Sequence, residues 1–264
     1  MHQPHRFARH LAHALLVLSA ATLVGPVFAA TPAADQGNAA SAQSASQSQQ
    51  QYQAAIASPE RSDDDRKGDA KRKPAEFLAF AKVRPGMMVM DMATGGGATA
   101  ALLAIAVGPS GTVWAQSTKP SLTLGERLAA RPMRNLRPVV TPFDNPVAPG
   151  TPALDLITIN LNYHDIVNTP TDRAAMNRRL FDALKPGGAL VVIDNAAAKG
   201  SALTATKTLH RIEEAAVVAE VTGAGFVLDA RSDYLHVAAD PRDQPFFKMD
   251  GKPDDKFALR FVKK

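Results

Sequence analysis

The stretch VMDMATGGGATAALLA, residues 89–104, decides the fold of this chain. Its apolar start ends in an acid, Asp91, and is followed by three consecutive glycines and an Ala- and Leu-rich run. This order predicts a buried strand, a tight loop and a helix. Consecutive glycines cost backbone entropy, so they indicate a backbone that turns sharply or that a ligand approaches closely. The loop is therefore the first candidate for a binding site.

Strand-like and helix-like segments alternate through the rest of the sequence. Such alternation predicts a parallel sheet with helices on both faces. In such sheets the ligand site lies beyond the carboxyl ends of the strands, where Asp91 and the glycines are expected. Further strands are predicted at residues 112–117, around Val139 and Val140, at 154–161 and 189–195, with closing strands at 233–237 and 256–264. Helices are predicted after Pro74 and at residues 98–107, 122–131, 171–184 and 207–226.

The first residues have the features of a secretory signal peptide, residues 1–29. Arg6 and Arg9 precede an apolar run. The small residues at the end of the predicted signal peptide suit cleavage after Ala29. A retained membrane anchor is the alternative. Residues 30–60 are rich in Ala, Gln and Ser and predict a flexible linker, which leaves residues 61–264 as one folded domain. A cleaved signal predicts a periplasmic or secreted protein without a membrane span.

Composition excludes several classes of function. The chain has no cysteine, which rules out thiol catalysis, disulfides and cysteine-zinc sites. The formal net charge of +5 is mild, the basic residues are scattered, and one Trp and three Tyr offer few stacking platforms, so no nucleic-acid partner is expected. Outside the signal peptide, the histidines are His164, His210 and His236. The oligomeric state is left open.

Two kinds of ligand loop match DMATGGGA, residues 91–98, to different degrees. A dinucleotide fingerprint would need glycines at Ala93, Gly95 and Ala98, of which two are alanine. The alternative pattern, an acid followed by xGxGxG, fits Asp91, Gly95 and Gly97, with Ala93 in place of the first glycine. This second pattern resembles motif I of the class I S-adenosylmethionine-dependent methyltransferases.

Two later segments strengthen that resemblance. LKPGGALVVID, residues 184–194, is similar to the family's turn and fifth strand, and residues 222–228 with 256–264 are similar to its last helix and antiparallel hairpin. Residues 72–92, 163–165 and 209–212 also resemble a small group of exported predicted methyltransferases. The resemblance implies an α/β, Rossmann-like class I methyltransferase fold. That fold is a mostly parallel seven-stranded sheet with helices on both faces and an antiparallel last strand.

The resemblance also implies S-adenosylmethionine as cofactor. Gly95 and Gly97, with Ala93, would let the backbone approach its methionine portion, whose carboxylate would face the helix-start amides. Asp91 would accept a hydrogen bond from the cofactor ammonium, and Asn160 would line the same site. A role of Asp91 in fixing the loop is the alternative, as is a loop that merely packs tightly against the sheet.

The rest of the cofactor site departs from the family pattern. The family's second strand usually ends in an acid that holds both ribose hydroxyls, whereas this chain has Gln116 and Ser117 there. Each of these side chains offers only single hydrogen bonds, so weaker binding of the ribose is expected. Asp144, after the third strand, would accept from the adenine amine, or it could cap a turn.

Candidate catalytic residues follow the fourth strand in INLNYHDIVN, residues 159–168. His164 could take a proton from a hydroxyl or amine acceptor, Asp165 could orient it, and Tyr163 belongs to the same group. The alternative is a helix start at which Asp165 or Asn168 caps and His164 packs on its neighbours. His210 and Glu214 share a helix face, but a solvated charged face is favoured over a metal pair, so no metal site is predicted.

The predicted function is methyl transfer from S-adenosylmethionine to a small acceptor whose identity the sequence does not specify. Export away from the cytoplasmic supply of the cofactor supports a second hypothesis. In that reading, the chain is a catalytically inactive module of the same fold that binds a nucleoside-like or other small ligand.

Overall fold

The computed structural model describes the backbone of residues 33–264 and the side chains of residues 42–264. The expected signal peptide and its cleavage after Ala29 lie outside the described residues. Of the helices in the described range, none combines the length and the apolar character needed to cross a membrane.

A seven-stranded sheet forms the centre of the domain. Its strands are β1 (Met88–Met92), β2 (Thr112–Ser117), β3 (Leu136–Val140), β4 (Leu154–Asn160), β5 (Leu184–Asn195), β6 (Val227–Ser232) and β7 (Lys256–Val262). They lie in the order β3-β2-β1-β4-β5-β7-β6. The first five strands pair in parallel, and β7 pairs antiparallel with both β5 and β6. The fold class predicted from the sequence is confirmed.

Helices cover both faces of this sheet. They are α1 (Ala33–Ala57), α2 (Asp63–Lys67), α3 (Asp69–Arg72), α4 (Pro74–Phe80), α5 (Ala98–Val107), α6 (Leu122–Ala130), α7 (Tyr163–Val167), α8 (Arg173–Ala183), α9 (Thr206–Leu209) and α10 (Glu214–Gly223). Alternate strand residues point to opposite faces. Val89 therefore belongs to one buried core, with α4 and α5, while Met90 belongs to another, with α7, α8 and α10. The near-continuous apolar strands follow from this double burial.

The predicted linker is wrong as a description of residues 33–57, because they form α1. Ala and Gln are good helix formers, so this composition suits a helix once part of it can pack. Tyr52 and Ala55 supply that packing, being 4% and 3% exposed. Tyr52 also donates a hydrogen bond to the Val83 carbonyl at 3.0 Å, and Gln51 donates to that of Ala106 at 2.8 Å. The packed domain therefore begins before residue 61.

The helix predicted at residues 207–226 is divided into α9 and α10. His210 between them has a left-handed backbone with φ 51°. The next residue, Arg211, is completely buried, donates to the Ala196 carbonyl at 3.0 Å and pairs with buried Asp240 at 2.8 Å. A helix would have turned Arg211 away from these partners, so the buried ion pair accounts for the break.

One closing strand is also displaced from its predicted position. The closing strand that pairs with β7 on the side away from β5 is β6, Val227–Ser232, and the predicted residues 233–237 form a turn after it. Leu235 of this turn is buried against the core that contains α4. The apolar residues of this segment are explained by that packing. A short apolar run in the sequence does not show whether the segment is a strand or a buried turn.

Candidate functional site

A cavity of about 450 Å³ opens at the carboxyl ends of β1 and β4, beside the loop that joins β1 to α5. We call residues 93–97 the glycine loop. The cavity is lined by Thr94, Gly95 and Gly96 from this loop, by the start of α5, and by Asn160, Leu161 and Asn162 after β4. Residues of α2, α3 and α4 form its outer wall. Its size is within the range of small-molecule sites.

The glycines at positions 95 and 97 serve different purposes. Both have left-handed backbones, with φ of 57° and 77°. A Cβ at position 95 would have nothing within 4 Å, whereas a Cβ at position 97 would lie 2.5 Å from the buried Leu124 side chain. Gly95 therefore leaves ligand space, and Gly97 is required by packing. The prediction that both glycines admit a ligand fits the geometry only at Gly95.

The start of α5 provides unused hydrogen-bond donors. This helix begins at Ala98, and among the residues that the structure describes no side chain caps it. The first amides of a helix have no partner within the helix, and together with the helix dipole they favour an anion. Ala98 and Thr99 also line the cavity. A carboxylate bound in the cavity would therefore find donors here.

Asp91 is turned into the protein. It is 2% exposed, and its two oxygens accept hydrogen bonds from Thr94 and Thr158, each at 2.7 Å. Burial raises the pKa of Asp91 to about 6, although both hydroxyls lower it. The alternative role in fixing the loop therefore fits the structure better than direct contact with a ligand ammonium.

A clamp from α2 and α6, which the sequence did not reveal, holds the glycine loop. Arg127 forms two hydrogen bonds with Asp65, at 2.6 and 2.9 Å, and its Nε donates to the Gly96 carbonyl at 3.0 Å. Burial raises the pKa of Asp65, but the hydrogen bonds from Arg127 and from Ser62 outweigh it and lower the value to about 2. Asp65 is thus ionised and paired. The capping box of Ser62 and Asp65 in SDDD was the available sign of this helix.

The ends of β2 and β3 differ from the predicted ribose and adenine contacts. Gln116 is completely buried, accepts from the Ala93 amide at 3.0 Å and donates to the Thr141 carbonyl at 2.7 Å. Its predicted ribose contact is therefore wrong, because both ends of the amide are already bound within the protein. Ser117 is half-buried and donates to the Lys119 carbonyl at 2.7 Å. Asp144 is exposed beside a second, shallow cavity.

His164 is enclosed between two carboxylates. It is 2% exposed, its Nδ1 lies 2.6 Å from Asp194 Oδ1, and its Nε2 lies 3.3 Å from Asp165 Oδ1. Burial lowers the pKa of His164, but the hydrogen bond and charge of Asp194 and the charge of Asp165 raise it above its ordinary value. The predicted pairing of His164 with Asp165 is present, while Asp194 is the stronger partner.

Tyr163 is wrong as a catalytic candidate. Its side chain is completely buried, its hydroxyl donates to Glu220 at 2.8 Å, and it accepts from Asn177 at 2.8 Å. Burial and the charge of Glu220 raise the pKa of Tyr163. The residue lies in the core between the sheet and α8 and α10, because adjacent positions on a helix face different directions.

His210 joins His164 and Asp165, contrary to its predicted place on a charged helix face. Its Nδ1 lies 3.3 Å from Asp165 Oδ1, and its ring meets that of His164 edge-on with centroids 5.5 Å apart. Glu214 instead pairs with Arg231 at 2.7 Å. We call His164, Asp165 and His210 the histidine cluster. The spacing of residues in the sequence did not predict the position of His210, because that position depends on the break between α9 and α10.

Comparison with known proteins agrees with this architecture. No family model matches the chain. A ubiquinone/menaquinone biosynthesis C-methyltransferase of Cupriavidus metallidurans is 31% identical over 121 residues, which cover 44% of this chain and 46% of that protein. The chain therefore matches less than half of that relative's length.

Solved structures match over a longer range. A SAM-dependent methyltransferase from Aquifex aeolicus is 18% identical with a TM-score of 0.56, covering 75% of this chain and 93% of that one. An S-adenosylmethionine-dependent methyltransferase from Mesorhizobium loti is 14% identical with a TM-score of 0.54, covering 74% and 99%. The chain has a class I methyltransferase fold.

The cavity occupies the expected place in this methyltransferase fold. Ligands of open α/β sheets bind beyond the carboxyl ends of the strands, where the strand order reverses. Here β1 lies between β2 and β4, and the glycine loop leaves the end of β1. Of the predicted cofactor-binding residues, Gly95 and Asn160 line the cavity. Ala93 supports the loop through its amide, with φ 55°.

Proposed function

We propose that this chain is a methyltransferase that uses S-adenosylmethionine and acts on a small acceptor. The observation that carries the proposal is the cavity at the glycine loop, with open space at Gly95 and unused amides at the start of α5. A zwitterionic amino-acid group needs an anion site beside a close backbone approach, and this end of the cavity offers both.

The residues present fit the cofactor at one end and less well at the other. The amides of Ala98 and Thr99 would bind its carboxylate, and the backbone at Gly95 would lie against its methionine portion. Ser117 and Asp144 would lie near the ribose and the adenine. Bound there, the cofactor supplies a methyl group on a positively charged sulfur. The chain's own contribution is to orient the cofactor and to limit the access of water where residues of α2, α3 and α4 line the cavity.

The acceptor is proposed to be a small molecule, because Asn160 and Asn162 line the cavity after β4 and offer polar groups that could hold one beside the cofactor. The comparisons give no support for excluding nucleic acid, so that exclusion stays a prediction from composition. The role of His164 as proton acceptor also stays a prediction, because this side chain is enclosed by Asp194 and Asp165.

Export is part of the proposal and rests on the sequence of residues 1–29. A basic start, an apolar run and a small-residue end are the marks of a cleaved signal peptide. Mass spectrometry of the protein from the cell envelope should find a new amino terminus near Ala30. An intact Met1 on membrane-bound protein would favour the retained anchor.

The cofactor site is tested by calorimetry of the full chain with S-adenosylmethionine and S-adenosylhomocysteine. Gly95→Val should weaken binding at least tenfold, because its side chain would enter ligand space. The matched control is Gly150→Val, at an exposed loop position that also has a positive φ, 77°, and nothing within 4 Å of a Cβ. The control carries a similar backbone strain but lies away from the cavity, so its binding should equal that of the wild type.

Each result separates the alternatives. Absence of binding by the folded wild-type chain, or equal binding by both variants, would remove the proposed cofactor site. Formation of S-adenosylhomocysteine from bound cofactor when small-molecule extracts are added supports the enzyme. Saturable binding without transfer to any extract favours the inactive binding module.

A further inference from the structure

We propose that the histidine cluster binds one divalent ion of the first transition series. His164, Asp165 and His210 each offer one ligand atom, and these atoms lie within 4.8 Å of one another. Two imidazoles and one carboxylate are a donor set for ions such as zinc, iron or cobalt, whereas magnesium and calcium prefer oxygen ligands. This inference goes beyond methyl transfer and does not depend on cofactor binding.

The spacing of the ligand atoms suits a shared ion. His164 Nε2 and His210 Nδ1 each lie 3.3 Å from the same oxygen, Asp165 Oδ1. Two bonds of about 2.1 Å that meet at a tetrahedral angle place their outer atoms about 3.4 Å apart. Charge-assisted hydrogen bonds between nitrogen and carboxylate are shorter, at about 2.7–2.9 Å. Both nitrogen–oxygen distances are therefore closer to those between ligands of one ion than to those of charge-assisted hydrogen bonds.

Asp194 orients His164 for this role. Its Oδ1 holds Nδ1 of the ring at 2.6 Å, and its Oδ2 accepts from the His164 amide at 2.8 Å. With Nδ1 held by a carboxylate, Nε2 is the nitrogen that faces Asp165 and His210. Metal-binding histidines commonly have their second nitrogen fixed in this way, which sets the tautomer and raises the basicity of the ligand nitrogen.

His210 is positioned by its backbone rather than by a helix. Its left-handed conformation, φ 51°, is uncommon for a residue other than glycine and is costly unless neighbours enforce it. Asn195 donates from Nδ2 to the His210 carbonyl at 3.0 Å. The next residue, Arg211, is held in place by its burial. The strained position thus presents the His210 ring to Asp165.

Exposure indicates a site that is closed on one side only. The side chain of His164 is 3% exposed, while those of Asp165 and His210 are 50% and 36% exposed. An ion held by three protein ligands keeps an open position, which is the arrangement of sites that exchange a water for another ligand. Phe247 borders the open side, with its ring centroid 5.5 Å from that of His210. The site therefore has room for a further ligand from solution.

The test measures Zn²⁺ binding by calorimetry after chelator treatment, and Co²⁺ binding by its visible absorption. The wild-type chain should bind one ion per chain, and Mg²⁺ should not compete. His210→Ala and Asp165→Asn should each weaken Zn²⁺ binding at least tenfold, because the first removes a ligand nitrogen and the second removes the negative charge of the ligand oxygen. The matched control is His236→Ala, which removes an exposed histidine paired with Asp255 at 2.8 Å outside the cluster.

Thermal unfolding of each variant keeps the result interpretable. Asp165 and His210 are partly exposed, so both variants should unfold cooperatively; His210→Gln serves as a second variant if His210→Ala does not. Zn²⁺ should raise the midpoint of wild type and of His236→Ala and leave the cluster variants unchanged. An affinity in His210→Ala or Asp165→Asn within twofold of wild type would overturn the proposal. An equal loss in His236→Ala, or no binding by the wild type, would do the same.

Discussion

The two ends of the candidate cofactor site are built differently. At the glycine loop, the contacts available to a ligand are backbone groups: open space at Gly95 and the free amides of α5. At the ends of β2 and β3, the side chains that could bind a ligand are bonded within the protein, as in Gln116 and Ser117, or stand in solvent, as in Asp144. One end is a formed site and the other is not.

The difference concerns where binding energy can come from. The backbone at the glycine loop is fixed by side chains whose polar groups bond within the protein, namely Asp91, Arg127 and Gln116. A fixed backbone loses little entropy when a ligand binds. At the other end no carboxylate stands ready for two hydroxyls, so affinity should depend on the glycine-loop end. Three changes test this comparison.

The largest effect is expected from breaking the clamp. Arg127→Met leaves Asp65 buried without its partner and frees the Gly96 carbonyl, and the loss of one member of a buried pair costs about 3–5 kcal/mol. Urea unfolding should register this loss, and S-adenosylmethionine should bind more weakly. Lys67→Met is the control. Lys67 pairs with Asp64 on α2, the helix that also carries Asp65, and the two side chains are 76% and 88% exposed. Lys67→Met should leave the urea unfolding midpoint at its wild-type value, because exposed pairs contribute little to stability. Equal effects of the two substitutions would contradict the clamp.

A smaller effect is expected from the pH dependence of Asp91. Its pKa is raised from 3.8 to about 6 by burial, so the folded state binds its proton more tightly than the unfolded state does. The resulting stability is present below about pH 4 and lost as the pH rises through about 6, a change of roughly 3 kcal/mol. The free energy of unfolding of wild type, less that of Asp91→Asn, should therefore fall from about pH 4 to about pH 7. A constant or rising difference would mean that Asp91 is not buried as described.

The smallest effect is expected from repairing the weaker end. Ser117→Asp places a carboxylate at the end of β2 that could accept from both ribose hydroxyls, and such bonds are worth about 1.5–3 kcal/mol. S-adenosylmethionine should then bind about tenfold to a hundredfold more tightly. Ser117→Asn, similar in size but uncharged, should gain much less, as should a deoxyribose analogue with Ser117→Asp. Unchanged affinity in a folded Ser117→Asp chain would mean that the ligand is not held at this end.

Local patterns account for most of the fold that could be predicted. The apolar runs at β1, β2, β4 and β5 and the glycines before α5 depend on burial and turn chemistry, which a short window contains. The same reasoning mistook residues 33–57 for a linker, because Tyr52 and Gln51 become helix anchors only when Val83 and Ala106 are near. It also missed the break at His210, which depends on the distant partner Asp240.

The site was predictable to a similar extent. Gly95, Asn160 and the pairing of His164 with Asp165 follow from their place after strands of a parallel sheet. The functions of Gln116 and Tyr163 were misjudged, because neighbours from other elements bind their polar atoms. Asp65, Arg127 and His210 carry no local mark of their roles. Their importance comes from contacts between segments far apart in the chain.

The position of β7 has a consequence for how the chain folds as it is made. β7 lies between β5 and β6, although it follows both in the sequence. Until Lys256–Val262 are synthesised, β5 has an unpaired edge and β6 has no strand to join. Unpaired edges of apolar strands are prone to wrong pairing with other chains. Completion of the sheet therefore waits for β7, which gives any factor that binds nascent chains time to act before the edge is closed.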